Sequence, residues 1–427
     1  MLPSSSVSRG RAIFAFSLGC LFFGYAFVQR VAPSVITDEL MREFAVGGAA
    51  LGSLSAWYFY SYASIQLPVG MLMDRFGPRK LMSFTIGLCA LATIGFAMSD
   101  SLVMASFSRA LIGATVAFGF VGSLTIAGYW FSPSRFATLG GVLQGVGMCG
   151  AMLGQAPLRY YVEMFGWRGT MMGLAVIAVL MAVLLFFVIP KRPRANGENH
   201  SVQNQGRDGS SGVLNGLKQV CRNIQSWYAA LIGFGLTATM LTFTGLWAVP
   251  WLSTTMAFSK TQAAGIASLF FLGWGVGSPL AGWISDTIGR RKPVLYAGCL
   301  VSMVFFAAIV YSGIEDSVYL GILFFLCGCG GSTMIVCFGV VKEVNLPGNS
   351  ATSIGLLNMF VVGSGALMQP LVGFLLDSQW SGQLEAGARI YESEAFSNAF
   401  GSLMMCQVMA LVCIWQLKET FCRQRSA

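Results

Sequence analysis

Apolar residues fall in twelve long blocks along this chain, separated by short polar breaks. They cover about 12–34, 48–71, 81–99, 102–131, 137–160, 169–189, 224–252, 261–284, 293–313, 317–341, 351–376 and 395–417. Each is near the ~20 residues that an α-helix needs to cross a bilayer. Strands of a membrane barrel are about half that length and alternate in polarity, which these blocks do not. The pattern predicts an all-α membrane protein with twelve transmembrane helices.

The breaks carry a repeat. Gly70, Asp74, Arg75, Gly77, Arg79 and Lys80 follow the second block, and Gly282, Asp286, Gly289, Arg291 and Lys292 follow the eighth at one constant offset, with Thr287 in place of the arginine. A copy displaced by half the chain means two similar halves rather than an array of small units. The expected organisation is a six-helix half over 1–190, a linker over 191–223 and a second six-helix half over 224–427. The linker holds a Ser-, Asn-, Gln- and Gly-rich tract, with a short surface helix expected near Leu214–Cys221. A second echo joins Gly150–Pro157 to Gly365–Pro370. Both place a glutamine (Gln155, Gln369) and a helix-breaking proline after small residues, so matched interruptions beside a central cavity are expected.

Composition agrees. The 427 residues are 55% hydrophobic and only 10% charged, with a mean hydropathy of +0.69; soluble chains are about a quarter charged. The net charge of +9 follows from where the cations lie, not from a nucleic-acid partner. Arg42, Arg159, Arg168, Lys260 and Arg389 fall on one face and Arg30 and Arg109 within helices, while all other Lys and Arg share the face of the termini. That bias places both termini in the cytoplasm, with the chain multi-pass in the cell (inner) membrane. Most of the eleven cysteines lie within blocks and read as small packing residues, not as disulfides or metal ligands. Gly145, Gly147 and Gly150 match a dinucleotide-binding spacing, but no strand precedes them, and close helix packing is the expected role. No catalytic residue, cofactor or metal is expected: the blocks hold no clustered acid, histidine or serine–base pair.

Arg30 and Arg109 are the informative pair. An arginine inside a span costs ~2.5–3.5 kcal/mol on insertion scales, so it faces a cavity or a partner. No Asp or Glu lies deep in any block, which leaves the cargo to supply the negative charge; a carboxylate suits the planar guanidinium fork. Further substrate-binding candidates are Tyr25 and Gln29, four residues apart, Tyr58 and Tyr62 on the same period, and Trp247 and Asn358 in the second half. Trp247-Ala-Val-Pro250 stands as a counterpart of Arg30-Val-Ala-Pro33, giving an expected cavity cationic on one wall and aromatic on the other. Asp74 lies near Arg135, Asp286 near Lys342, and the eleventh helix starts near Ser350 and Thr352.

Twelve spans in two halves, the long middle loop and the doubled Gly-x-x-x-Asp motif resemble the major facilitator superfamily over essentially the whole chain. Arg109-Ala-Leu-Ile-Gly113 is similar to that family's arginine–glycine signature in the fourth helix. The resemblance implies a transporter working by alternating access, with Asp74 as a latch between halves and Gly70, Arg75, Gly77, Arg79, Arg135, Asp286, Gly289 and Arg291 around it. Gln29-Arg30 resembles the Asp-Arg pair of that family's organic-anion transporters, with a glutamine that cannot titrate where the acid stands. The expectation is a monomer in the lipid bilayer that carries a small carboxylate-bearing solute, with amino acid or dipeptide ahead of sugar acid or other organic anion. Alternatives are an exporter or antiporter of anionic metabolites or drugs and, outside transport, a membrane receptor or channel.

Overall fold

The computed structural model describes residues 9–131, 135–190, 218–256, 258–346 and 349–423, except a few side chains within helices. The chain is a succession of helices: α1 (Arg9–Val31), α2 (Thr37–Phe44), α3 (Gly48–Phe76), α4 (Pro78–Ala97), α5 (Leu102–Val116), α6 (Phe118–Trp130), α7 (Phe136–Leu153) and α8 (Ala156–Val188). After the linker come α9 (Ile224–Ala238), α10 (Ala248–Thr255), α11 (Lys260–Ile288), α12 (Lys292–Tyr311), α13 (Ser317–Gly331), α14 (Val336–Glu343), α15 (Ser350–Ser378) and α16 (Ser393–Gln416). A two-residue antiparallel ribbon, β1 (Leu384–Glu385) with β2 (Ala388–Arg389), lies before α16.

Ten stretches among the described residues are long and apolar enough to cross a membrane. One of them, Thr138–Val188, has 51 residues, about 76 Å of helix against a hydrocarbon core of ~30 Å. It does not run straight: the backbone breaks at Gln155 (φ −101°, ψ −113°) and turns at Gly166 (φ 69°, ψ 166°). The α3 helix, with 29 residues, lies outside the ten and is itself ~43 Å long. The twelve blocks of the sequence are consistent with this all-helical membrane fold.

Sequence places the turns. Gly77, between α3 and α4, has φ 75° and ψ 157°, nearly the conformation of Gly166 and one essentially reserved for glycine. Its repeat partner Gly289 is also at positive φ, 67°. Pro78 follows in the first turn of α4, where its missing N–H costs nothing. Ser101 and Asp316 cap α5 and α13 by accepting backbone N–H bonds.

Close packing relies on glycine. A Cβ at Gly150 would strike the Gly24 carbonyl, and at Gly147 the Phe23 ring 2.7 Å away, so the dinucleotide-like spacing sets α7 against α1. A Cβ at Gly113 would strike the Tyr58 carbonyl, so α5 lies hard against α3. The arginine–glycine signature thereby carries Arg109, one turn before Gly113, to the level of Tyr58.

The matched interruptions expected at Gln155 and Gln369 are not matched. The first copy separates α7 from α8, with Pro157 in the opening turn of α8. The second stays within continuous α15, with Pro370 inside the helix. Pro157 occupies a position where no N–H is needed, whereas Pro370 sits mid-helix and removes one bond without ending the run. The first helices of the two halves are both irregular: α1 passes into a 3-10 turn at Ala32–Val35 and α9 into nine residues of π-helix at Thr239–Trp247.

By packing, the chain forms two compact units. The first comprises 1–194, 245–268 and 369–395; the second comprises 195–244, 269–368 and 396–427. These cut across the two sequence halves, because segments of the second half pack on the first. Of the expected Leu214–Cys221 helix, residues 218–222 are helical and the rest lies outside the described residues.

Candidate functional site

Six candidates from the first half form one cluster in the first unit, at the level where Gly113 brings α5 onto α3. Arg109 is 1% exposed, Gln29 1% and Arg30 8%. The Arg109 Nη1 donates to the Gln29 main-chain carbonyl at 2.8 Å, while its Nε and Nη2 have no partner. Those two nitrogens carry the parallel N–H bonds of one guanidinium edge, the edge that takes a carboxylate bidentately. Nε of Arg30 is likewise buried without a partner.

The two cations share aromatic neighbours. Arg109 Cζ lies 5.1 Å from the centre of the Tyr58 ring and Arg30 Cζ 5.7 Å from it, with Tyr62 at 5.3 Å and Phe27 at 4.2 Å from Arg30. Tyr58 and Tyr62 stack, and the Tyr58 hydroxyl donates to the Ala26 carbonyl at 3.0 Å. Such contacts contribute about 0.5–2 kcal/mol each, against several kcal/mol for burying each ion. For Arg109, with a single ring beside it, the aromatic contact does not offset the cost.

Acids meet four other cations of this unit. Arg159 meets Glu39 at 2.7 Å and Glu163 at 3.1 Å, Arg168 meets Glu43 at 2.9 Å, and Lys260 meets Asp38 at 2.7 Å. Arg389 meets Asp377 at 3.1 Å. Among the described residues, Arg30 and Arg109 have no carboxylate within 4 Å. Both are buried, at 8% and 1% exposure.

Gln29 is held from several sides. Its Nε2 donates to the Tyr25 hydroxyl at 2.6 Å and to Thr93 Oγ1 at 3.2 Å. Tyr25 in turn donates to the Leu174 carbonyl at 3.1 Å. Phe27 and Thr93 were not among the sequence candidates. Phe27 is one turn before Arg30 and therefore legible, whereas Thr93 on α4 gives no local signal.

Trp247 does not join this cluster. It is fully buried, its Nε1 donates to the Gln369 carbonyl at 3.4 Å, and its ring lies against Gly48. Gly48 precedes Tyr58 by ten residues, about 15 Å along α3. The indole sits there because a residue without Cβ leaves room, so the expected aromatic wall is not opposite the arginines. Asn358 is half-buried on α15, in the other unit.

Beside Trp247, the Asp377 carboxylate at the end of α15 accepts from the Gly48 and Ala49 N–H groups at 2.9 Å each, and from the Tyr391 hydroxyl at 2.6 Å. This clasps the N-terminus of α3, where the helix dipole favours an anion. Burial, and next the neighbouring Asp377, push the Tyr391 hydroxyl above its ordinary range.

Of the two repeated loops, the second is fully visible. Asp286 pairs with Arg291 of its own loop at 2.6 Å, rather than with Lys342, and Arg291 pairs with Glu343 at 2.7 Å. Glu419 accepts from the Arg291 and Lys292 main-chain N–H groups at 2.8 and 3.0 Å. Burial alone would lower the Arg291 guanidinium, but its bonds to Glu343 and Asp286 outweigh that and hold it above its ordinary value. Glu343, Glu419 and Thr420 were not sequence candidates, being far from the motif in the chain. In the first copy, Arg75 and Arg135 are exposed, Arg79 lies over the Phe186 ring at 4.8 Å, and Gly70 has open space around it. The Asp74 side chain is outside the described residues, and so is the latch expected of it.

A family model described as Major Facilitator Superfamily matches residues 14–370 and 236–411. A probable hexose phosphate transport protein of Chlamydia pneumoniae is 23% identical, over 64% of this chain and 65% of that one. A probable galactarate/D-glucarate transporter of Bacillus subtilis is 21% identical over 83% of each. Among solved structures, a bacterial homologue of the human lysosomal transporter Spinster, inward-facing and unoccupied, superposes with a TM-score of 0.82 at 15% identity, over 99% of this chain and 100% of that one.

Proposed function

The chain belongs to the major facilitator superfamily and is a membrane transporter of small solutes, and we propose that its cargo is an organic anion seated on Arg109 and Arg30. The observation that carries this reading is the free edge of Arg109. Two parallel donors are buried without a partner, which costs about 1–3 kcal/mol or more for each group left unsatisfied. A carboxylate fills both and neutralises the charge in one contact; a phosphate oxygen pair is its equivalent.

The names of the relatives agree with this charge. A hexose phosphate, a galactarate and a glucarate are small, hydrophilic and anionic. Amino acids and dipeptides fit less well than the sequence suggested. Each brings an ammonium group, and beside two guanidiniums the described residues offer no carboxylate to receive it. Sugar acids and sugar phosphates are therefore the preferred cargo, moved by alternating access about this cluster. Both termini are assigned to the cytoplasm by the bias of Lys and Arg, in a monomer. Direction follows the gradients, so export and exchange use the same site.

Counterflow into proteoliposomes tests the reading. Liposomes loaded with D-glucarate, D-gluconate or glucose 6-phosphate should accumulate the labelled anion, and Arg109→Lys should cut the rate at least tenfold by removing the bidentate edge. Exchange of a dipeptide or a neutral sugar, indifferent to Arg109→Lys and Arg30→Ala, would refute it.

A further inference from the structure

Gln29 has one more atom to account for. Its side-chain Oε1 is fully buried and accepts no hydrogen bond. Tyr25 has given its proton to the Leu174 carbonyl and Thr93 has given its own to the Cys89 carbonyl at 2.8 Å. With those bonds made, both hydroxyl oxygens accept from Gln29, and the amide presents its N–H₂ to them and its oxygen elsewhere. The same residue's main-chain carbonyl holds Arg109 Nη1, which ties this orphan acceptor to the arginine whose other edge is vacant. The cluster thus contains orphan donors on Arg109 and Arg30 and an orphan acceptor on Gln29.

We propose that the site selects acids bearing a hydroxyl next to the carboxylate, with the carboxylate on the Arg109 edge and the 2-hydroxyl donating to Gln29 Oε1. A plain carboxylate satisfies the arginines and leaves Gln29 unpaired. A 2-hydroxy acid satisfies all of them. Gln29 is then the specificity-determining residue, and this assignment rests on the organic-anion reading above. It favours sugar acids over sugar phosphates and over acids without a hydroxyl at that carbon, because a site built to pair a hydroxyl rejects an analogue that lacks it.

The test compares D-gluconate with 2-deoxy-D-gluconate and 3-deoxy-D-gluconate by titration calorimetry on the purified protein. The expected result is a loss of about tenfold or more on removing the 2-hydroxyl and a much smaller loss on removing the 3-hydroxyl. In Gln29→Met, the preference for gluconate over its 2-deoxy analogue should collapse to a ratio near one. Equal binding of gluconate and 2-deoxygluconate by the unmodified protein would overturn the role of Gln29 and leave the anion site intact, provided Arg109→Lys still weakens both. Failure of every acid to bind, or binding unaltered by Arg109→Lys, would instead remove the anion site and the selection with it. The comparison of ligands on the unmodified protein does not depend on how any variant folds.

Discussion

Arg109 combines two conditions seldom met together in one side chain. One nitrogen is fixed to a main-chain carbonyl, so the guanidinium is oriented, and its opposite edge is buried and empty. A lysine at this position keeps the charge and loses the paired geometry, which is why the conservative variant should suffer almost as much as alanine. Arg30 differs, since rings of Phe27, Tyr58 and Tyr62 surround it. Arg30→Lys should retain more affinity than Arg109→Lys in the same calorimetric comparison, because a point charge over aromatic faces replaces much of what is lost. The arginines were legible in the sequence because a cation inside an apolar block demands a reason. The free edge of one and the set of the Gln29 amide were not: the first depends on the Gln29 carbonyl of α1, the second on Thr93 of α4 and, through Tyr25, on the Leu174 carbonyl, all far away in the chain.

At the scale of helices, the cluster depends on how closely α5 approaches α3. Gly113 allows that contact, and Gly113→Ala must push the helices apart at the Tyr58 carbonyl. The expected outcome is a drop of several degrees in the apparent melting temperature together with at least a tenfold loss of anion affinity. Gly77→Ala, by contrast, puts a side chain where the backbone has φ 75° and ψ 157°, a strain of about 1–3 kcal/mol. It should lower the melting temperature in detergent and leave the binding constant nearly unchanged, because no cluster residue touches that turn. The sequence marks Gly77 and Gly289 through the repeat itself. It does not distinguish Pro157, which opens a helix, from Pro370, which lies within one, because the letters are the same and only the surrounding packing differs.

Across the whole molecule, charge is arranged with economy. Acids meet Arg159, Arg168, Lys260 and Arg389 in the first unit and Arg291 in the second. In the second unit Arg291 and Glu343 are 13% and 10% exposed at their side chains, whereas Asp286 is 70% exposed. Glu343→Gln should therefore destabilise the protein by about 3 kcal/mol, because only the largely exposed Asp286 would then face the cation. Asp286→Asn should cost less than 1 kcal/mol; thermal unfolding of the two variants side by side checks the ranking. In the clasp on α3, the raised Tyr391 hydroxyl contributes stability in full below its ordinary value of about 10, and the contribution is lost as pH rises past it. Thermal stability should fall above that pH in the parent and less so in Tyr391→Phe.

The anion site stands or falls on the carboxylate charge, and one competition measures it. Tritiated D-gluconate bound to the purified protein is displaced with D-gluconate or with its uncharged amide, which keeps every hydroxyl. The amide should be at least a hundredfold weaker, having neither the charge nor the paired oxygens that the Arg109 edge requires. Displacement by the amide at the same concentration as the acid would contradict the account.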